Sequence, residues 1–174
     1  MADELIDVVD KNDNLLGQDT RKNVHHSDSW HRGVHVLIFN SKNELLLPLR
    51  SKTKDKFPNT YDCSISEHVG TGETFDGAAS RGLKEELGIT RPKLKKLVKF
   101  RMNYGENDNT IALLYECKYA GKLIVDEKEV ESWTFLPLKK IESLLKQNEN
   151  LFAPWTREIL KWYFKMPSRL ELIE

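Results

Sequence analysis

The chain has 174 residues, 39% hydrophobic and 31% charged, and its 27 basic and 27 acidic side chains leave a formal net charge of zero. That length suits one domain with a real core, and the charge balance gives no bulk attraction to nucleic-acid polymers or membrane surfaces. The acidic start MADELIDVVDKND lacks the apolar run of a signal peptide, and no later stretch could span a bilayer.

In chain order, ELIDVV at 4–9, then KNDN and LLG, read as a small hairpin. RKNVHHSDSWHRG is a polar, histidine-rich loop. VHVLIFN, a turn at Ser41 to Asn43 and ELLLPLR form a strand–turn–strand unit, with Pro48 marking an edge or an irregularity. SKTKDKFPNTYD is a basic loop, and CSISEHV alternates as a strand running toward a helix. Thr74 suits an N-cap and Gly88 a C′ stop, which predicts a helix from about Phe75 to Leu87. KLVKFRMNY and TIALLYECKY are two further strands around the turn GENDN. ESWTFLPL is a short strand, IESLLKQN a short helix, and PWTREILKWYFKM an amphipathic helix with Pro154 near its start. This order predicts an α+β fold with a mixed sheet flanked by helices. One domain covers 1–174, with an N-terminal hairpin and loop extension over 1–30 and the core over 31–174. Cys63 and Cys117 lie far apart without CxxC spacing, which fits a reducing, cytoplasmic setting and implies no zinc site.

The predicted helix carries the chemistry. At about 100° per residue, Phe75, Ala78, Ala79, Gly82 and Leu83 share a face, while Asp76, Ser80 and Lys84 look outward. Glu86 falls near the middle of the apolar face and Glu85 at its edge. A carboxylate aimed at a core is costly unless a cation or strong donors meet it, so the pattern points to a metal or a cationic partner.

The spacing from Glu73 through seven residues to Arg81, then Leu83, Glu85–Glu86, Gly88 and Ile89, resembles a Nudix box, Gly-x5-Glu-x7-Arg-Glu-U-x-Glu-Glu-x-Gly-U with U a bulky aliphatic residue. HRGVHVLIFN, LLLPLRSKTK, FPNTYDCSISEHV and FAPWTREIL are similar to the branch that holds isopentenyl diphosphate isomerase and its hydrolase relatives. The resemblance implies an α/β/α sandwich that binds Mg²⁺ or Mn²⁺ and hydrolyses a diphosphate linkage, typically in a nucleoside diphosphate joined to a group X. Such ions take carboxylate oxygens, keep several waters and bridge phosphate oxygens. Glu86 and Glu85 would be metal ligands, and Arg81 would pair with Glu73 to brace the loop against the helix. The chain departs from the box at two positions, Gly82 where a glutamate follows the arginine and Glu67 where the box opens with glycine. We expect the two to be related, with Glu67 returning to the metal the carboxylate that Gly82 lacks.

By the same resemblance, Arg50 and Lys54 would grip the diphosphate, and Lys52 and Lys56 are extra cations or solvated loop residues. Isomerase chemistry is not expected, since Ser66 and Thr110 stand where a catalytic cysteine and glutamate belong, with Asp108 near a metal-ligand position. His25, His26, His31, His35 and His68 would make a metal cluster if gathered, and His68 is the best match to a ligand by the same resemblance. His35 reads as a hydrogen-bonded interior residue, and His25 and His26 as solvated or substrate-adjacent. Trp30 reads as packing under its loop, and Trp133 and Phe135 as core packing. Glu127 and Glu129 form a solvent-facing acidic turn or supply a base from outside the box. The expected partner is a small diphosphate, with a non-catalytic diphosphate-binding protein as the rival reading. Oligomeric state is open, and a homodimer is compatible with the chain.

Overall fold

A computed structural model describes residues 4–54, 56–124 and 130–173. Its centre is β3 (Trp30–Phe39), which pairs in parallel with β7 (Asn109–Lys118) along its whole length. On one side of this pair the sheet continues through β6 (Leu94–Asn103) to the short β9 (Glu171–Ile173). At its start β3 also meets the hairpin of β1 (Leu5–Val9) and β2 (Leu15–Thr20). β4 (Glu44–Arg50) touches β3 only where Leu45 faces Phe39, and β5 (Ile65–His68) takes up the pairing from Val36 to Gly33. Ser64 bridges the gap, donating to Leu46 O at 2.7 Å and accepting from Ile38 N at 2.9 Å. The other edge of β4 carries β8 (Val130–Pro137).

Alternation along β3 builds two layers. Val34, Val36 and Ile38 pack toward α2 (Phe75–Leu87) against Ala78, Ala79, Leu83 and Leu87. Leu37 and Phe39 pack the other way, toward α3 (Leu138–Gln147) and α4 (Pro154–Tyr163), against Ile141, Leu145, Trp155, Ile159 and Leu160. The result is the expected mixed sheet between helices. Pro48 sits in β4 opposite Trp133 of β8, and its ring blocks no pairing with β3, which has already parted from β4.

α2 has the bounds its caps dictate. Thr74 Oγ1 accepts from Gly77 N at 3.0 Å, and Gly88, at φ 69°, closes the helix with its own N–H and that of Ile89. Three elements differ from expectation. β3 begins at Trp30 rather than Val34, because β1 and β7 both supply partners to residues that are polar in sequence. Arg21–Val24 forms one helical turn, α1, capped by Thr20, and β9 is an added edge strand. Trp133 is corrected from core to surface: it is 45% exposed on β8, while Phe135 is half-buried. Glu127 and Glu129 lie outside the described residues. Among the described residues, no helix is long and apolar enough to cross a membrane.

Candidate active site

A cavity of about 560 Å³ opens at the start of β3, where the extension, the basic loop, β5 and α2 meet. Glu67 and Glu86 line it on the helix side, and Arg50, Lys54 and Lys56 on the loop side. Glu4, Arg21, Lys22 and His25 enter from the extension. That placement is fixed by backbone pairing: Arg21 N donates to Glu4 O at 2.7 Å, Thr71 N to Leu5 O at 3.2 Å, and Ile6 bridges Gly70.

Arg81 sits behind the acidic wall and organises it. Its Nε and Nη2 donate to the two oxygens of Glu73, both at 3.1 Å, its Nη1 to Glu67 at 3.0 Å, and its Nη2 also to His68 O at 2.9 Å. The exposed Glu85 lies 3.5 Å from Nη1. Glu73 also accepts from Gly70 N at 3.0 Å. Burial pushes the Glu73 carboxyl up, but the Arg81 and Gly70 donors outweigh it and hold it below its usual value. Of the acidic residues picked out by spacing, Glu67 and Glu86 thus reach the cavity, whereas Glu73 and Glu85 stand behind it through Arg81.

Arg50 lines the cavity with its guanidinium already engaged. Nη1 donates to Asp62 at 2.7 Å, Nε and Nη2 both donate to Lys56 O, and the group lies over the Trp155 ring at 5.2 Å. Asp62 is buried and also accepts from Cys63 N, Ser66 Oγ, Trp155 Nε1 and Thr156 Oγ1. Arg50 therefore straps the basic loop to the floor of the cavity. Lys56 also lines the cavity, 3.9 Å from Asp108, and Lys52 is exposed.

The cavity also gathers three of the five histidines, part of the metal cluster that sequence reading raised and set aside. Ring nitrogens of His25, His31 and His68 lie within 4.8 Å of one another. His25 Nε2 is 3.0 Å from His68 Nε2, and His31 Nε2 is 3.2 Å from Thr110 Oγ1. Burial, then the neighbouring His25, Lys56 and Arg21, push the His31 pKa down to about 3. Packing around His68 lowers it well below its usual value, with His31 adding to the effect. Such rings are neutral near pH 7 and offer lone pairs, the donor set of a transition-metal ion. The Nδ1 atoms of His25 and His31 are buried without a hydrogen-bond partner among the described residues, although His25 Nδ1 faces Asp108 Oδ1 at 3.6 Å. The lack of cysteine spacing therefore does not exclude a zinc-type site. His25 is half-buried within this cluster, whereas His26 is exposed.

His35 is interior and hydrogen-bonded as expected, with its pKa lowered to about 4 by burial against the pull of Asp62. Its Nδ1 is 3.0 Å from Ser66 Oγ and its Nε2 is 3.2 Å from Tyr104 Oη. His31, Gly33 and His35 alternate on one face of β3, a period-two signal hidden by reading 21–33 as loop. Ser66 and Thr110 thus hold hydrogen bonds, to His35 and His31 respectively. Cys63 is buried with its thiol pushed up, so it offers no thiolate.

The chain is similar to known proteins in sequence and fold. The NUDIX domain family matches residues 29–163. The chain is 34% identical over 154 residues to the uncharacterized Nudix hydrolase SCO1686 of Streptomyces coelicolor, covering 88% of this chain and 84% of that one. It is 29% identical to isopentenyl-diphosphate Delta-isomerase 2 of Photorhabdus laumondii, covering 91% of each. In fold it is similar to DR0079 of Deinococcus radiodurans, with a TM-score of 0.71, 24% identity and coverage of 83% and 90%. The NUDIX domain of Shewanella oneidensis NrtR, solved with ADP ribose, gives a TM-score of 0.61 at 13% identity over 78% and 87%.

Proposed function

Since the chain belongs to the Nudix family, we propose that it is an Mg²⁺- or Mn²⁺-dependent pyrophosphohydrolase acting on a small diphosphate of the nucleotide or nucleoside diphosphate-X type. One observation carries the reading: a single cavity is lined by Glu67 and Glu86 from β5 and α2 and by Arg50, Lys54 and Lys56 from β4 and the basic loop. Carboxylates and cations lining one cavity suit a cation-bound diphosphate better than either charge alone. Glu86 would hold the ion from the cavity lining, with Glu85 set back against Arg81. When bound, the ion supplies Lewis-acid polarisation of a phosphoryl oxygen and a more acidic water.

The chain's own residues do the rest. Lys54 and Lys56 neutralise phosphate charge and, with Arg50 keeping the loop in place, orient the diphosphate for attack by water. The attack forms one phosphorus–oxygen bond and breaks the bridging one, and a carboxylate of the acidic wall takes the water proton. Arg81 keeps Glu73 ionised, takes Glu67 in an ion pair and keeps the box loop docked on α2. Both cysteines are buried and unpaired, in keeping with a cytoplasmic enzyme.

Phosphate or mononucleotide release from a panel of diphosphates, with and without Mg²⁺, tests the proposal. We expect Mg²⁺-dependent release that falls by about 100-fold in Glu86→Gln. Tight binding of the same diphosphates with no release under any metal would favour a non-catalytic diphosphate-binding protein instead.

A further inference from the structure

We propose that Glu67 and Gly82 are exchanged partners: the carboxylate that the box places directly after its arginine is delivered here from strand β5, across a helix position left bare to admit it. This rests on the reading of the box as a metal site and specifies how that site is built.

Gly82 has no conformational reason to be glycine. It lies inside α2, and the glycines with positive φ are Gly72 and Gly88. In a helix interior glycine costs roughly 1 kcal/mol against alanine. The reason is steric. A Cβ on Gly82 would stand 2.7 Å from Glu67 Cγ and 2.9 Å from Ile65 Cγ2. The Glu67 side chain therefore runs through the space that a side chain at 82 would occupy; its Oε2 accepts from Arg81 Nη1 at 3.0 Å, and the residue lines the cavity together with Glu86.

Charge gives a second reason. Glu67, Glu73 and Glu85 all lie within 3.5 Å of one guanidinium, that of Arg81. Three carboxylates against one cation leave a local excess of two negative charges, which a divalent ion offsets. Bracing alone does not require Glu67, because Glu73 already takes Arg81 with both oxygens. The ion would then join β5 to α2, coupling the strand that carries His68 to the box helix.

Calorimetric titration of the full chain with Mg²⁺ tests this, Mg²⁺ being chosen because imidazole groups hold it poorly. We expect Glu67→Gln to weaken binding by about tenfold or more. Glu73→Gln, which removes the other Arg81 partner, keeps near-native affinity, and Glu67→Gly with Gly82→Glu recovers it. Native affinity in Glu67→Gln overturns the exchange while leaving the metal site standing. An equal loss in Glu73→Gln also overturns it, since Glu67 would then act only through Arg81. No Mg²⁺ binding by the native chain overturns both readings. If the exchanged chain fails to fold because the Ile65 methyl still obstructs position 82, the comparison of Glu67→Gln with Glu73→Gln decides.

Discussion

At position 82 two opposing effects can be weighed. Gly82→Ala gains roughly 1 kcal/mol of helix propensity. It also forces a methyl against Glu67 Cγ and against Ile65, which is 1% exposed and walled in by the core. Overpacking of this kind costs about 1–3 kcal/mol, so the variant should lose on the order of 1 kcal/mol in urea unfolding. Truncating Glu67 to alanine removes the nearest obstacle, and Gly82→Ala should then cost less. An equal cost in both backgrounds would place the crowding elsewhere. Arg81, Glu85 and Glu86 were legible in the sequence because the box is one helix with fixed spacing. The relation of Glu67 to Gly82 was expected from the two departures, but the crowding between them was not, because linear spacing carries no depth: the contact joins strand to helix.

Among the elements, the basic loop depends on a strap. Arg50 holds Asp62 and Lys56 O together while lying on Trp155. A lysine keeps the charge but has neither the fork nor the planar face. Losing hydrogen bonds to a charged group is worth about 1.5–3 kcal/mol, so Arg50→Lys should raise KM for a diphosphate by about tenfold or more and speed proteolysis within 51–60. A raised KM with unchanged cleavage would instead give Arg50 a direct hold on substrate. The strand–turn–strand unit, the capped helix and the C-terminal helices were readable from local periodicity. The first turns of β3, the helical turn at Arg21–Val24 and β9 were not, because each exists only through partners distant in sequence. The histidine cluster was raised from the sequence but set aside for the same reason. His31 reads as loop until β1 and β7 make it strand, and only the register of β3 on β5 brings His68 near.

For the whole molecule, the enclosed histidines set an acid limit. His31 and His35 stay neutral in the fold down to about 3 and 4, whereas an unfolded histidine takes a proton near pH 6.5. Between those values the unfolded chain binds more protons, so stability falls as pH drops from about 6.5 toward 4. The loss is about 1.4 kcal/mol per pH unit for each such ring. Urea midpoints across that range should show the slope, and His35→Asn should reduce it by one histidine's share. The cavity is also a whole-molecule property, since Glu4, Arg21, Lys22 and His25 precede the residues that match the family. The leading hairpin is therefore part of the substrate's surroundings as well as of the fold: Ile6 and Leu5 hold the box loop at Gly70 and Thr71, so exchanging this segment would alter what is admitted and how the box is held.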